Sequence, residues 1–263
     1  MADRAVHLVG SFPAESTEEA MRAMLAGTGG RLRTLPTGEV RRHELYILPI
    51  IEDLVNQGVL EAKRPMLSGA GHRTVHRLAR DVESPSSTMD LGTYGRPRRR
   101  CRSSGSCAVR PSRGIAALAA AAPEGTRFGV HLCLGSKGNR TRAVPRSARP
   151  LVDLANAVAR HWPSGRTLEF VHGPLSGVSH PPSDDPGFYA PLADLALPVG
   201  TAFYAGFVHE SPDEDQQMRT LHMIEQALGR PVNAVASPCG SGRDSRELAE
   251  VHMARACALA VAE

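Results

Sequence analysis

From Arg127 onward, short apolar runs alternate with well-punctuated helical stretches. That alternation restricts the chain to α/β architectures with a parallel sheet. Apolar runs at 128–134, 167–171, 201–208 and 232–237 read as strands, with helices expected at about 147–161, 212–228 and from about 244. The middle helix is marked at both ends: Ser211 stands as N-cap, Pro212 at the first helical position, and acids fill the first turn. Gly229 stops it, with Pro231 just beyond. Nearer the N-terminus, "VHLVGS" (6–11) reads as a strand. It leads into "STEEAMRAMLAG", where Ser16 and Glu19 form a capping-box pattern for a helix ending near Gly27. A weaker strand is expected at 32–35, a helix at 44–58 despite Pro49, and another strand at 59–65.

Residues 84–113 fit neither period, and a loop of that length is unusual inside a compact domain. The stretch 96–113, "RPRRRCRSSGSCAVRPSR", carries seven Arg and no acid, and removing those charges turns the net +4 into −3. The basic character is therefore local. With no aromatic residue for base stacking and no helical period, the cluster weighs against nucleic-acid binding. The 263 residues, 41% hydrophobic and 22% charged, suit one sizeable domain spanning 1–263 with an irregular insert at 84–113. No apolar run is long enough to span a membrane, and "MADRAVHLVGSFPAE" lacks the apolar core of a secretory signal, so a cytoplasmic protein is expected.

Five cysteines without an export signal argue against a disulfide framework. Cys101 and Cys107 match no common zinc spacing, and Cys257 falls in the apolar repeat of the last helix. Cys133 is different. In "RFGVHLCLGS" it stands two residues after His131, so the two side chains leave one face of a strand together. Imidazole and thiolate are the usual nitrogen and sulfur ligands of zinc. Cys239 follows a strand in "NAVASPCGSGR", Glu169 is a carboxylate inside the apolar "RTLEFV", and His209 ends "TAFYAGFVH". All four elements are expected to deliver these residues near C-terminal strand ends, where α/β barrels build their sites. Packing explains each residue singly; together they make a Cys/Cys/His/Glu zinc set. His172 and His180 flank a Pro/Ser/Gly loop and read as solvated, and His7 reads as packing.

"HLVGSFP", "VHLCLGS" and "VASPCGSGR", in that order, resemble the C-terminal barrel of cobalamin-independent methionine synthases, over roughly 5–60 and 125–262. The resemblance implies a (β/α)8 barrel of TIM type, incomplete in the middle. It implies one Zn2+ held by His131, Cys133, Glu169 and Cys239, and transfer of a methyl group from a methylated folate to the thiol of homocysteine. By the same resemblance Ser11 and Glu39 contact the amino-acid substrate, and His209 moves a proton. The family's folate platform has no counterpart here, which leaves the methyl donor open. The alternative is a degenerate barrel homologue whose metal is structural or absent.

Overall fold

The structure, a computed structural model, describes residues 4–36, 104–122, 124–134 and 145–262, together with short strands at Leu60–Ala62, Met66–Ser68, Gly71–Arg73, His76–Leu78, Ser136–Lys137 and Arg140–Thr141. The chain divides into two compact units, one made of Met1–Arg42 with Cys101–Glu263, the other of His43–Arg100. In the smaller unit Leu60–Ala62 pairs antiparallel with His76–Leu78, and Met66–Ser68 with Gly71–Arg73. The strand expected at 59–65 is thus part of a local antiparallel pair. The expected helix at 44–58, and Glu39, lie outside the described residues.

The larger unit is built on five parallel strands: β1 (Ala5–His7), β2 (Arg127–His131), β3 (Thr167–Pro174), β4 (Ala202–Gly206) and β5 (Ala234–Ala236). Their spatial order is β1-β5-β4-β3-β2, so the last strand pairs with the first. A single parallel bridge from Val6 to Leu32 lies on the other side of β1 and is all that the expected strand at 32–35 contributes. Among the described residues, five longer helices accompany the sheet, α1 (Thr17–Gly27), α2 (Ser104–Ala121), α3 (Arg149–His161), α4 (Glu214–Leu228) and α5 (Arg246–Val261), with a short helical stretch at Pro186–Tyr189 running into a 3-10 turn at Ala190–Asp194. Among the described residues, no helix is long and apolar enough to cross a membrane.

Two helix starts differ from the sequence reading. The cap of α4 is Asp213, not Ser211: its carboxylate accepts the Gln216 N–H while the Gln216 side chain accepts the Asp213 N–H. This reciprocal box satisfies two end donors at once, which a lone Ser211 hydroxyl cannot do. The Arg-rich segment also ends differently. Residues 84–103 lie outside the described residues, but from Ser104 the chain is helical. The Ala-rich end of α2, Ala116–Ala121, has the highest helix propensity, and α2 packs along α3.

The pleat sorts the sheet into two unlike faces. Val6, Val130, Val171, Phe203, Ala205 and Val235 point to one side and join Val152, Val158, Leu221, Ile224 and Leu259 of the helices in the main core. On the other side, the strand register lines up Ala5, Ala234, Tyr204, His172 and His131 in one row across all five strands. The next row toward the C-terminal ends holds His7, Ala236, Gly206 and Pro174. The apolar cluster on this second face, Ala5, Tyr204 and Ala234 with Phe170 and Ala202, draws only on strand residues. Two glycines make room for its rings. A Cβ at Gly129 would sit 2.0 Å from the Phe170 ring, and one at Gly206 would sit 2.5 Å from His172 Nε2.

Below the sheet, Arg4 clamps the ends of the chain together. Only 3% exposed, it donates two bonds of 2.6 Å to the Glu225 carboxylate on α4 and one of 2.7 Å to the Ala262 carbonyl past α5. Removing one partner of such a buried pair typically costs about 3–5 kcal/mol.

Candidate metal centre

The second face of the sheet carries the site at its C-terminal edge. His131 closes β2, and Cys133 lies two residues further on the same side. The extension past β2 is held in line by the Leu132 N–H, which donates to the His172 carbonyl at 3.0 Å. Cys239 arrives from the turn after β5. That turn is pinned in two ways: the Ser237 hydroxyl donates to the Cys239 carbonyl at 3.1 Å, and the Gly242 N–H donates to Ser11 Oγ at 3.2 Å. The glycines are required by proximity. A Cβ at Gly240 would lie 2.5 Å from the Val9 carbonyl oxygen, and one at Gly242 would lie 2.5 Å from Ser11 Cβ. Ser11, expected to meet substrate, is observed bracing the loop that carries Cys239.

A ring nitrogen of His131 and the sulfurs of Cys133 and Cys239 all lie within 4.8 Å of one another. The two sulfurs are 3.9 Å apart, far beyond the roughly 2.05 Å of a disulfide. Two sulfurs each about 2.3 Å from a tetrahedral zinc stand about 3.8 Å apart, so the observed spacing suits that ion. The His131 nitrogens divide their roles. Nδ1 is 2.6 Å from His172 Nδ1, whereas Nε2 is buried with no hydrogen-bond partner. A buried, unpartnered nitrogen on a ring grouped with two sulfurs is the kind of orphan that a bound ion satisfies.

The electrostatics point the same way. The hydrogen bond from the neighbouring Cys133 sulfur, followed by burial and that sulfur's charge, pushes the Cys239 thiol far above its ordinary range. The Cys239 thiol therefore keeps its proton unless a cation is present to offset the charge. The imidazoles behind it are neutral. Burial, then the nearby His131, lowers His7 from 6.5 to about 4, and burial, His131 and His7 lower His172 well below its ordinary value.

Glu169 is not brought to this cluster. It is the extra residue of a bulge, for Leu168 pairs with Phe128 and Phe170 with Gly129, and its carboxylate pairs with Arg127 at the start of β2. It precedes His172 by three residues, which is about 10 Å of strand at the usual rise. The His131–Cys133 pair sits level with His172, so Glu169 belongs to the opposite end of the strand. His209 is buried as expected of a working histidine, but in a separate group. Its Nδ1 is 3.1 Å from the Glu210 carboxylate, which also lies 3.0 Å from His252 Nε2, and Asp244 stands 3.9 Å from the other nitrogen of His252. Burial lowers the pKa of His209, with Glu210 acting against it.

His172 corrects the sequence reading. Its neighbours suggest a solvated loop, yet β3 runs on to Pro174 and His172 is fully buried. Alternation from Phe170 is the signal that places it on the imidazole face. His180 is exposed, in the turn with Gly177, as expected. A cleft of about 950 Å³ has Leu134, Leu175, Ser176, Gly177, Phe188 and Arg219 among its walls; His131, Cys133 and Cys239 do not line it.

Comparison with known proteins gives no matching family model, no matching curated protein and no matching solved structure. The functional reading therefore rests on the geometry of these residues.

Proposed function

We propose that this chain is a zinc-dependent S-methyltransferase-like protein that passes a methyl group to a small thiol such as homocysteine, from a methylated folate or a donor of similar reactivity. The observation that carries this reading is the convergence of His131, Cys133 Sγ and Cys239 Sγ within 4.8 Å. With Glu169 committed to Arg127, the centre has three protein ligands, and catalytic zinc sites characteristically keep a fourth position for water or substrate. The (β/α)8 form of the fold is part of the same proposal. It is supported by the pairing of the last strand with the first, by the continuation to Leu32, and by a second face packed only from strand residues.

His131, Cys133 and Cys239 would hold the ion, and the Ser11–Gly242 bond keeps the Cys239 loop at the right height. When bound, zinc supplies the Lewis acidity that keeps an incoming thiol deprotonated at neutral pH. Phe170, Tyr204 and the small residues of β1 and β5 keep water away from the inner side of the cluster. The cleft beside Leu134 gives a second reactant room to approach the rim. His209, neutral and with Nε2 buried and unpartnered, is the proposed proton carrier for the departing group.

The absence of Glu169 from the cluster also favours the alternative of a degenerate homologue with a structural ion. One experiment separates them. Purified protein should carry one zinc per chain, and Cys239→Ser should lower zinc affinity by more than the roughly 10–100-fold that outer contacts contribute. After cobalt substitution, added homocysteine should shift the visible spectrum of a catalytic centre. A spectrum indifferent to thiol identifies a structural ion, and a protein without zinc overturns the proposal.

A further inference from the structure

We propose that His172 is a positioning residue for the metal centre: its Nδ1 accepts the Nδ1 proton of His131, which turns the lone pair of His131 Nε2 toward Cys133 and Cys239. The inference rests on the metal reading above. Its observation is the meeting of the half-buried His131 imidazole with the fully buried one of His172. The Nδ1 atoms are 2.6 Å apart, the ring planes differ by 21°, and the centroids are 4.8 Å apart. That centroid distance is close to the nitrogen separation plus the two ring radii, so the rings meet edge to edge through one shared proton.

A single proton between two imidazole nitrogens has two possible owners. If it belongs to His172, the remaining proton of His131 sits on Nε2, and that nitrogen cannot bind a cation. If it belongs to His131, Nε2 offers a lone pair in the place where a hydrogen-bond partner is otherwise lacking. Metal-bound histidines generally donate their second N–H to an outer acceptor, which fixes tautomer and ring angle. That acceptor is usually a carboxylate or a carbonyl; here it is a second imidazole. The fold is built to hold it there. His172 pairs in register with His131, it is fully buried, and its ring fits only because residue 206 has no side chain.

The test measures zinc affinity by chelator competition for wild type, His172→Phe, His172→Asn and Cys239→Ser, with 15N NMR of the ring nitrogens in zinc-loaded wild type. His172→Phe, which keeps an aromatic ring but no acceptor, should weaken zinc binding roughly 10–100-fold. His172→Asn, which restores an acceptor, should recover part of that loss. The NMR should show His131 protonated on Nδ1 and metal-bound through Nε2. Wild-type affinity in His172→Phe, with zinc lost in Cys239→Ser, would refute the positioning role and leave the metal reading standing. A wild type that binds no zinc would overturn both. If His172→Phe does not fold, the wild-type spectrum still decides: His131 bound through Nδ1 would refute the proposal.

Discussion

Two groups of histidines in one unit of the chain are set among different neighbours. His7, His131 and His172 gather on the inner face of the sheet with aromatic rings, small residues and two thiols around them. Each leaves one ring nitrogen without a hydrogen-bond partner, as His209 Nε2 and His252 Nδ1 also do. His209 and His252 instead share the Glu210 carboxylate, with Asp244 behind and the Arg255 guanidinium bonded to the His209 carbonyl at 2.7 Å. The second group carries its own counter-charges. Among the described residues, the first group brings one imidazole and two thiols together as donors for a cation, with no carboxylate among them. The lesson is that burial of histidine says little by itself; the neighbouring charges decide whether it is a ligand or a member of an internal ion pair.

The largest effect is expected from pH, to which His209 of the second group, also lowered by burial, contributes in the same direction. An unfolded chain protonates His7 below about 6.5, while the folded protein resists until about 4. The unfolded state thus binds more protons in that window, and stability should fall as pH drops from 6.5 to 4. A shift of that size corresponds to roughly 3 kcal/mol when complete, and His172 adds in the same direction. Equilibrium unfolding at a series of pH values should show the loss, and His7→Phe should flatten it. A flat profile in wild type would contradict this.

A smaller effect is expected in the second group. Burial pushes the Glu210 carboxyl up, but its own backbone N–H and the His252 ring outweigh this and hold it below the ordinary value. Its contribution is therefore present above about pH 4.5 and lost as pH falls further. Because the side chain is 37% exposed, Glu210→Gln should cost only about 1 kcal/mol in denaturant melts at pH 7. Zinc content should not change; a loss of zinc would merge the two groups into one site. The smallest effect belongs to Glu169→Gln. Its partner Arg127 is 75% exposed, so stability should move by no more than about 0.5 kcal/mol and zinc affinity should stay put. A clear loss of zinc there would restore the carboxylate to the centre.

What the sequence discloses follows from which rules are local. Alternation along a strand is local, so the two-residue spacing of His131 and Cys133 is enough to assign them to one side. Cys239 is legible because a Pro-Cys-Gly turn directly follows an apolar strand. Glu169 misleads because a bulge is invisible in an apolar run: one extra residue in β3 and the strand's true length put the carboxylate at the wrong end. His172 hides for the complementary reason. Gly173 and Pro174 look like turn residues, yet they complete the strand beside Gly206, where close approach of the backbone is needed. Ser211 reads as the cap from its place before Pro212, and the reciprocal bonds between Asp213 and Gln216 move the cap two residues on. The order of the sheet depends on long-range pairing of β1 with β5, which no short window of sequence reports.

Zinc-edge X-ray absorption on the purified protein tests the central claim most directly. Three side chains holding one ion with an exchangeable position predict two sulfurs near 2.3 Å, one imidazole nitrogen at about 2.0–2.1 Å and one light atom that added homocysteine replaces with a third sulfur. A protein with no bound zinc, or a shell lacking two sulfurs, would contradict it.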